Sequence, residues 1–205
     1  MGSILHGSPL RVLHLILGGT IEADPAQTRP VVDPVTGKTT TMVVRNNRIL
    51  TREFMKSLPG VRVVSKLIAN IDSKKLTMKH VHEALRQIEQ ADAQGYDRVV
   101  ITVGTDRGVE FMRSLEREWY KRHKERPPLD IVGTASFVEL ADTQRKPDGP
   151  DNIRLAVSHP VPHGQHGFYW AFKNDDGQVI FTDPTHVKKD FDKKRFVETK
   201  RPQFC

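Results

Sequence analysis

Val12-Leu13-His14-Leu15-Ile16-Leu17-Gly18-Gly19-Thr20 is a nearly continuous apolar run stopped by two glycines. A run this short, apolar almost throughout, suits a strand buried on both faces that ends at a tight turn. Thr20 falls just past the carboxyl end of that strand. The same pattern returns twice: residues 99–103 close on Gly104 and are followed by Thr105 and Asp106, and residues 129–132 close on Gly133 and Thr134. Residues 61–67 form a further strand, followed by the loop Asn70-Ile71-Asp72-Ser73. Behind Thr77, a good N-cap, Val81, Ala84, Leu85 and Ile88 recur at helical spacing, and Val109, Met112, Leu115 and Trp119 mark a second helix with a charged outer face. Strands alternating with helices predict an α/β domain built on a mostly parallel sheet with helices on both faces. Ligands of such sheets sit beyond the carboxyl ends of the strands, so Thr20, Ser73, Thr105, Asp106 and Thr134 are expected to gather along one edge.

The remaining segments fit around this core. Residues 24–38 are rich in Pro, Asp, Thr and Gly, with a turn at Asp33-Pro34-Val35-Thr36-Gly37, and residues 39–44 return to β-favouring types. An exposed hairpin or flap near the N terminus follows. Residues 51–58 read as a short helix closed by Pro59-Gly60, residues 151–158 as another, and residues 168–172 with 178–181 as a strand pair around Asn174-Asp175-Asp176-Gly177. The chain reads as one domain across residues 1–205, with residues 1–9 an N-terminal extension that contributes nothing to the fold.

Composition narrows the classes of function. The 32 Lys and Arg outnumber the 25 Asp and Glu, for a formal charge of +7, which suits anionic small molecules, nucleic acid or membrane surfaces without choosing among them. Nucleic acid is disfavoured, because acidic residues interleave both basic stretches, 113–126 and 188–201, and no RNA-binding aromatic motif accompanies them. No window approaches the roughly 18 consecutive apolar residues of a membrane helix. The single cysteine, Cys205, forms no intramolecular disulfide and no Cys-based zinc site, which fits a reducing compartment and a cytoplasmic protein. His159, His163 and His166 lie in a loop rich in Pro and Gly with no acid or cysteine close by, so a surface loop or oligomer contact is expected and not a metal site. Gly18-Gly19 belongs to neither phosphate-binding glycine motif, and no cofactor is expected.

The residues gathered at the sheet edge allow acyl transfer. A threonine hydroxyl is a poor nucleophile until a neighbouring base takes its proton, and lysine performs that task when its own proton is lost. Lys188 or Lys189 supplies such a base if the late loop returns to Thr105, with Asp106 orienting the lysine or pairing with a substrate ammonium group. Backbone N–H groups after Gly18-Gly19 or Gly133 are candidates to hold an oxyanion. A blander account competes at each position: a glycine turn, a helix cap at Thr105-Asp106, a loop hydroxyl at Ser73 and a solvated basic face at Lys188-Lys189 and Lys193-Lys194-Arg195.

Read together and in order, these segments resemble the bacterial-type L-asparaginase family over most of the chain. Leu17-Gly18-Gly19-Thr20-Ile21 is similar to its first signature, Thr-Gly-Gly-Thr-Ile, and Val103-Gly104-Thr105-Asp106 to its second, His-Gly-Thr-Asp-Thr-Met. Asn70-Ile71-Asp72-Ser73 resembles the loop whose serine holds the substrate's α-carboxylate; Val132-Gly133-Thr134, Asp148-Gly149-Pro150-Asp151-Asn152 and Val187-Lys188 resemble its third strand motif, a helix start and its catalytic lysine. The resemblance implies an L-asparagine amidohydrolase releasing aspartate and ammonia. Thr20 is then the nucleophile, Thr105, Lys188 and Asp106 the supporting triad, and Ser73, Asp72, Asp106 and Thr134 the substrate-binding residues. It also implies a homo-oligomer acting on a small amino-acid amide.

The departures are specific. The family's flap carries a tyrosine that helps to activate the first threonine, and no tyrosine occurs here between Thr20 and Gly95. Val103 stands where the family has histidine, and Arg107-Gly108 where it has Thr-Met. Lys74-Lys75 replace a polar residue and an acid; such lysines either draw a more anionic substrate or point outward. Typical members continue into another domain. These differences sustain an alternative, a catalytically inactive asparaginase-like module that binds an amino acid or amide, because function resides in the site and not in the fold.

Overall fold

The computed structural model describes residues 8–32, 39–45, 49–138, 140, 142, 147–161, 165–174, 176–190, 192–193 and 195–199. In chain order the elements are β1 (Leu10–Ile16), a 3-10 turn (Thr20–Glu22), β2 (Ala23–Val32), β3 (Thr39–Arg45), α1 (Leu50–Lys56) and β4 (Val61–Leu67). A second 3-10 turn (Ser73–Lys75) precedes α2 (Met78–Ala91), β5 (Arg98–Thr102), α3 (Gly108–His123), β6 (Asp130–Thr134) and α4 (Gly149–Ser158). The chain then forms β7 (Phe168–Lys173), β8 (Val179–Thr182), a short 3-10 turn (Pro184–His186), β9 (Val187–Asp190) and β10 (Arg195–Glu198).

The main sheet has six strands in the order β4-β1-β5-β6-β7-β8. Every neighbouring pair is parallel up to β7, and β8 closes the edge antiparallel to it. β1 is an interior strand between β4 and β5, buried on both faces as the opening run predicts: Leu13 and Leu15 pack with α2 and α3 through Val81, Leu85, Ile88, Met112 and Leu115. Val12 faces the other way, against Met55 of α1 and Ile153, Ala156 and Val157 of α4. Helices thus cover both faces, and burial of these side chains supplies the main drive to fold.

Two smaller antiparallel pairs flank the sheet. β2 and β3 form the flap hairpin that the sequence predicts. β9 and β10 form a second pair, in a region that composition reads as a solvated basic face. That reading is corrected by two residues, Val187 and Phe196, which are buried in the core. Phe196 packs against Phe137, Trp170 and Phe172, and so anchors the hairpin over the strand ends.

At the opposite end of the sheet, Arg98 donates to the carbonyls of Ala156, Val157 and His159 at the end of α4 and pairs with Asp130 at 2.8 Å. A cation there satisfies the last carbonyls of the helix and complements its dipole. His166 contacts the other oxygen of Asp130 at 2.8 Å, and the His159 ring stacks on Phe181. Both histidines therefore have structural neighbours, while His163 lies outside the described residues.

Candidate functional site

Three loops leave the carboxyl ends of β1, β4 and β5 and are tied together by backbone hydrogen bonds. Leu17 N–H donates to Thr102 at 2.9 Å, Ile68 and Ala69 N–H to Ile16, and Ile71 N–H to Leu17. Glycines allow a closer approach than any side chain would permit. Gly18 and Gly19 have φ of +86° and +94°, and a Cβ on Gly19 would stand 2.1 Å from the Gly104 Cα. A Cβ on Gly104 would meet Ser73 Oγ at 2.7 Å. The backbone contact between Gly19 and Gly104 brings the loop that carries Thr20 up to the loop that carries Thr105, with Ser73 against Gly104.

Ser73 is 2% exposed and Thr105 8%. Ser73 Oγ accepts from the Arg107 N–H at 3.2 Å, which joins the β4 loop to the start of α3. Asp72 Oδ1 accepts from the Lys74 N–H at 2.9 Å and shapes the turn that presents Ser73. One oxygen of the Asp72 carboxylate is therefore engaged by the loop's own backbone.

The electrostatic centre is Asp106. One of its oxygens is ion-paired with Lys189 Nζ, and the other lies 3.2 Å from Lys74 Nζ. The Lys189 ammonium also lies 3.5 Å from Thr105 Oγ1 and 5.5 Å above the Phe137 ring. Burial works to raise the Asp106 carboxyl, but hydrogen bonds and charge from Lys189, then Lys74, outweigh it and hold the group below the usual carboxylate range. The separation from Thr105 is long for a hydrogen bond, as catalytic contacts often are before substrate tightens them.

The lysine that reaches Thr105 and Asp106 is Lys189, and the expectation of Lys188 is corrected. In β9 the side chains alternate, so Lys189 shares the inward face of buried Val187 while Lys188 projects to solvent. That parity was a usable signal: an apolar residue two positions earlier marks which lysine turns inward. Thr134 is also corrected. It is fully buried, and its hydroxyl donates to the Ala171 carbonyl at 2.8 Å, so that donor is already engaged within the sheet. Lys74 and Phe137 are site neighbours that residue spacing does not single out. Among the described residues no three His, Cys, Asp or Glu side chains gather as a metal site.

Comparisons with known proteins agree with this architecture. Residues 11–175 match the family described as asparaginase, N-terminal. A probable cytoplasmic L-asparaginase from Campylobacter jejuni superimposes with a TM-score of 0.64 at 23% identity, over 95% of this chain and 54% of that one. The thermostable L-asparaginase from Thermococcus kodakarensis gives 0.63 at 23% identity, over 94% and 52%. L-asparaginase I from Vibrio cholerae O1 biovar eltor gives 0.66 at 17% identity, over 95% and 52%. The chain spans about half the length of these structures, and at such identities the likeness shows the fold. No curated protein matches.

Proposed function

The chain belongs to the asparaginase family through its N-terminal domain, and from that premise we propose that it is an amidohydrolase cleaving the side-chain carboxamide of L-asparagine-type substrates. The observation that carries this reading is the contact set at the end of β5, where Lys189 touches both the Thr105 hydroxyl and the Asp106 carboxylate. A hydroxyl, an amine and a carboxylate in that order form a nucleophile-activating chain. A solvated basic face has no use for it.

In this mechanism Thr20 Oγ attacks the amide carbon, forming a C–O bond as the carbonyl electrons move to oxygen. The Lys189 ammonium gives a proton to the departing nitrogen and is replenished by the Thr20 hydroxyl proton, passed by way of Thr105. The C–N bond breaks, ammonia leaves, and water then cleaves the acyl ester to the acid, restoring Thr20. Asp106 aims Lys189 throughout, and Ser73 lies where the substrate's carboxylate enters. As part of the same proposal the protein acts without a cofactor, as a cytoplasmic homo-oligomer. Among the described residues no helix is long and apolar enough to cross a membrane.

The test is ammonia release from L-asparagine, L-glutamine and related side-chain amides by the parent chain, by Thr20→Ala and by Thr105→Ala, with folding checked by circular dichroism. Each variant is expected to lose about a thousandfold in kcat or more, within the range that removal of a nucleophile or its base produces. Thermal stabilisation by an amide without ammonia release from any of them assigns the chain instead to the non-enzymatic binding module.

A further inference from the structure

Among the described residues, the Asp106 carboxylate lies against two ammonium groups. Lys189 engages one oxygen of Asp106 and Lys74 the other, so both oxygens already have a cationic partner. The Asp72 carboxylate, one residue past Ile71 in the adjoining loop, accepts from the Lys74 backbone N–H. The two lysines differ in where they stand: the Lys189 side chain is 12% exposed and the Lys74 side chain 67%. Lys74 thus lies on the solvent side of Asp106, with one of its three N–H groups toward that carboxylate and its ammonium largely open to solvent.

A ligand carboxylate adds to Lys74 without breaking any contact. A ligand ammonium has to displace Lys74 from Asp106 and then sit between two like charges, which costs Coulomb energy and desolvation. We propose that this site selects amide substrates that carry a carboxylate but no α-ammonium group, succinamate being the simplest, over the zwitterion L-asparagine, with Lys74 as the specificity-determining residue. The proposal rests on the amidohydrolase reading above and narrows its substrate class. Because exposed ion pairs are weak, the expected preference is roughly two- to fivefold.

Binding and turnover are measured separately. Thermal-stabilisation titrations with succinamate and with L-asparagine are run on Thr20→Ala and on Thr20→Ala with Lys74→Gln; ammonia release from both amides is followed in the parent and in Lys74→Gln. Lys74 is mostly exposed, so its replacement leaves the core intact. Expected is tighter binding of succinamate by the stated factor, falling to parity or reversing once Lys74→Gln frees one Asp106 oxygen. Equal or tighter binding of L-asparagine, a ratio that Lys74→Gln does not move, or binding of neither ligand overturns the proposal. The two readings fail differently. Preferred hydrolysis of L-asparagine, unaltered by Lys74→Gln, removes the selectivity and keeps the hydrolase; the binding preference without ammonia release from either amide removes the hydrolase and leaves the selectivity as that of a binding site.

Discussion

Thr102 and Thr105 lie at the same end of β5, yet one belongs to a sealed polar cluster and the other to an open one. On the α1 and α4 side of the sheet, His14 sits between the Thr102 hydroxyl at 2.9 Å and the Ser65 hydroxyl at 3.2 Å. Burial, and secondarily the charge of Arg52, push the His14 imidazole down to about 3, so it stays neutral. Nearby, the buried Glu22 carboxylate accepts from the Leu50 and Thr51 N–H groups and from the Thr51 hydroxyl, which caps α1. Burial raises Glu22, and those bonds only partly offset it. Across the sheet edge the cluster of Thr105, Asp106, Lys189 and Lys74 is charged and reaches solvent. The difference teaches that hydroxyls and titratable groups at strand ends serve two purposes here. Where the named partners are protein groups and the imidazole is neutral, the cluster holds strands and helix together. Where ions face one another beside solvent, a ligand can exchange with them.

The largest expected effect tests which lysine belongs to the open cluster. Lys189→Met removes the amine beside Thr105 and is expected to lower kcat for ammonia release by about a thousandfold, the scale of a lost general base. Lys188→Met, on the outer face of the same strand, is expected to change it less than about twofold, as surface substitutions usually do. Similar losses in both would mean that the geometry of β9 does not govern the chemistry, and the comparison of the two clusters would lose its functional half.

The sequence makes the strands legible and the lysine illegible for related reasons. Runs such as residues 12–17 and 99–103 announce themselves because a parallel strand buried on both faces must be apolar at every position. Thr20, Ser73, Thr105 and Asp106 follow from that, since each trails a strand end and the sheet brings strand ends together. Lys188 and Lys189 are chemically identical neighbours, and only strand parity separates them. The strand itself was hidden, because β9 and β10 look basic and draw their cohesion from Val187 and Phe196 packing on distant residues. Thr134 likewise follows a strand-end glycine-containing run, yet its hydroxyl is engaged by the Ala171 carbonyl of β7. Lys74 stands out in the sequence as a departure from the family's pattern, but its partner does not: Asp106 is supplied by a different loop, and no local pattern encodes an ion pair across loops.

A second prediction probes the sealed cluster through pH. The folded chain keeps His14 neutral down to about 3, whereas the unfolded chain protonates it near the ordinary value of 6.5. The folded value is the lower one, so this contribution to stability is full above the unfolded value and is lost as pH falls from 6.5 toward 3, while the unfolded chain binds a proton the folded one refuses. Between pH 7 and pH 4.5 the loss is on the order of 2–3 kcal/mol. Urea unfolding of the parent and of His14→Asn at both pH values checks it. The variant is expected to be less stable at pH 7 but to lose less on acidification; equal losses would show that His14 is not what makes the sealed cluster acid-sensitive.

The smallest effect concerns Thr134, whose residue type and place at the carboxyl end of β6, behind Gly133, resemble those of the site threonines. Its hydroxyl donates to the Ala171 carbonyl across the β6–β7 pair, and the side chain is fully buried. Thr134→Val keeps the shape and β-branching of the side chain and removes only that donor. A buried carbonyl that loses one hydrogen bond costs about 1 kcal/mol, so a small drop in unfolding free energy is expected, with ammonia release within about twofold of the parent. A fall in kcat comparable to that of Thr105→Ala, at unchanged stability, would place Thr134 among the reacting groups and erase the boundary between the two clusters. The expected opposite, a stability cost without a kinetic one, places the boundary within β6, because a threonine becomes chemistry only where its hydroxyl joins the charged edge.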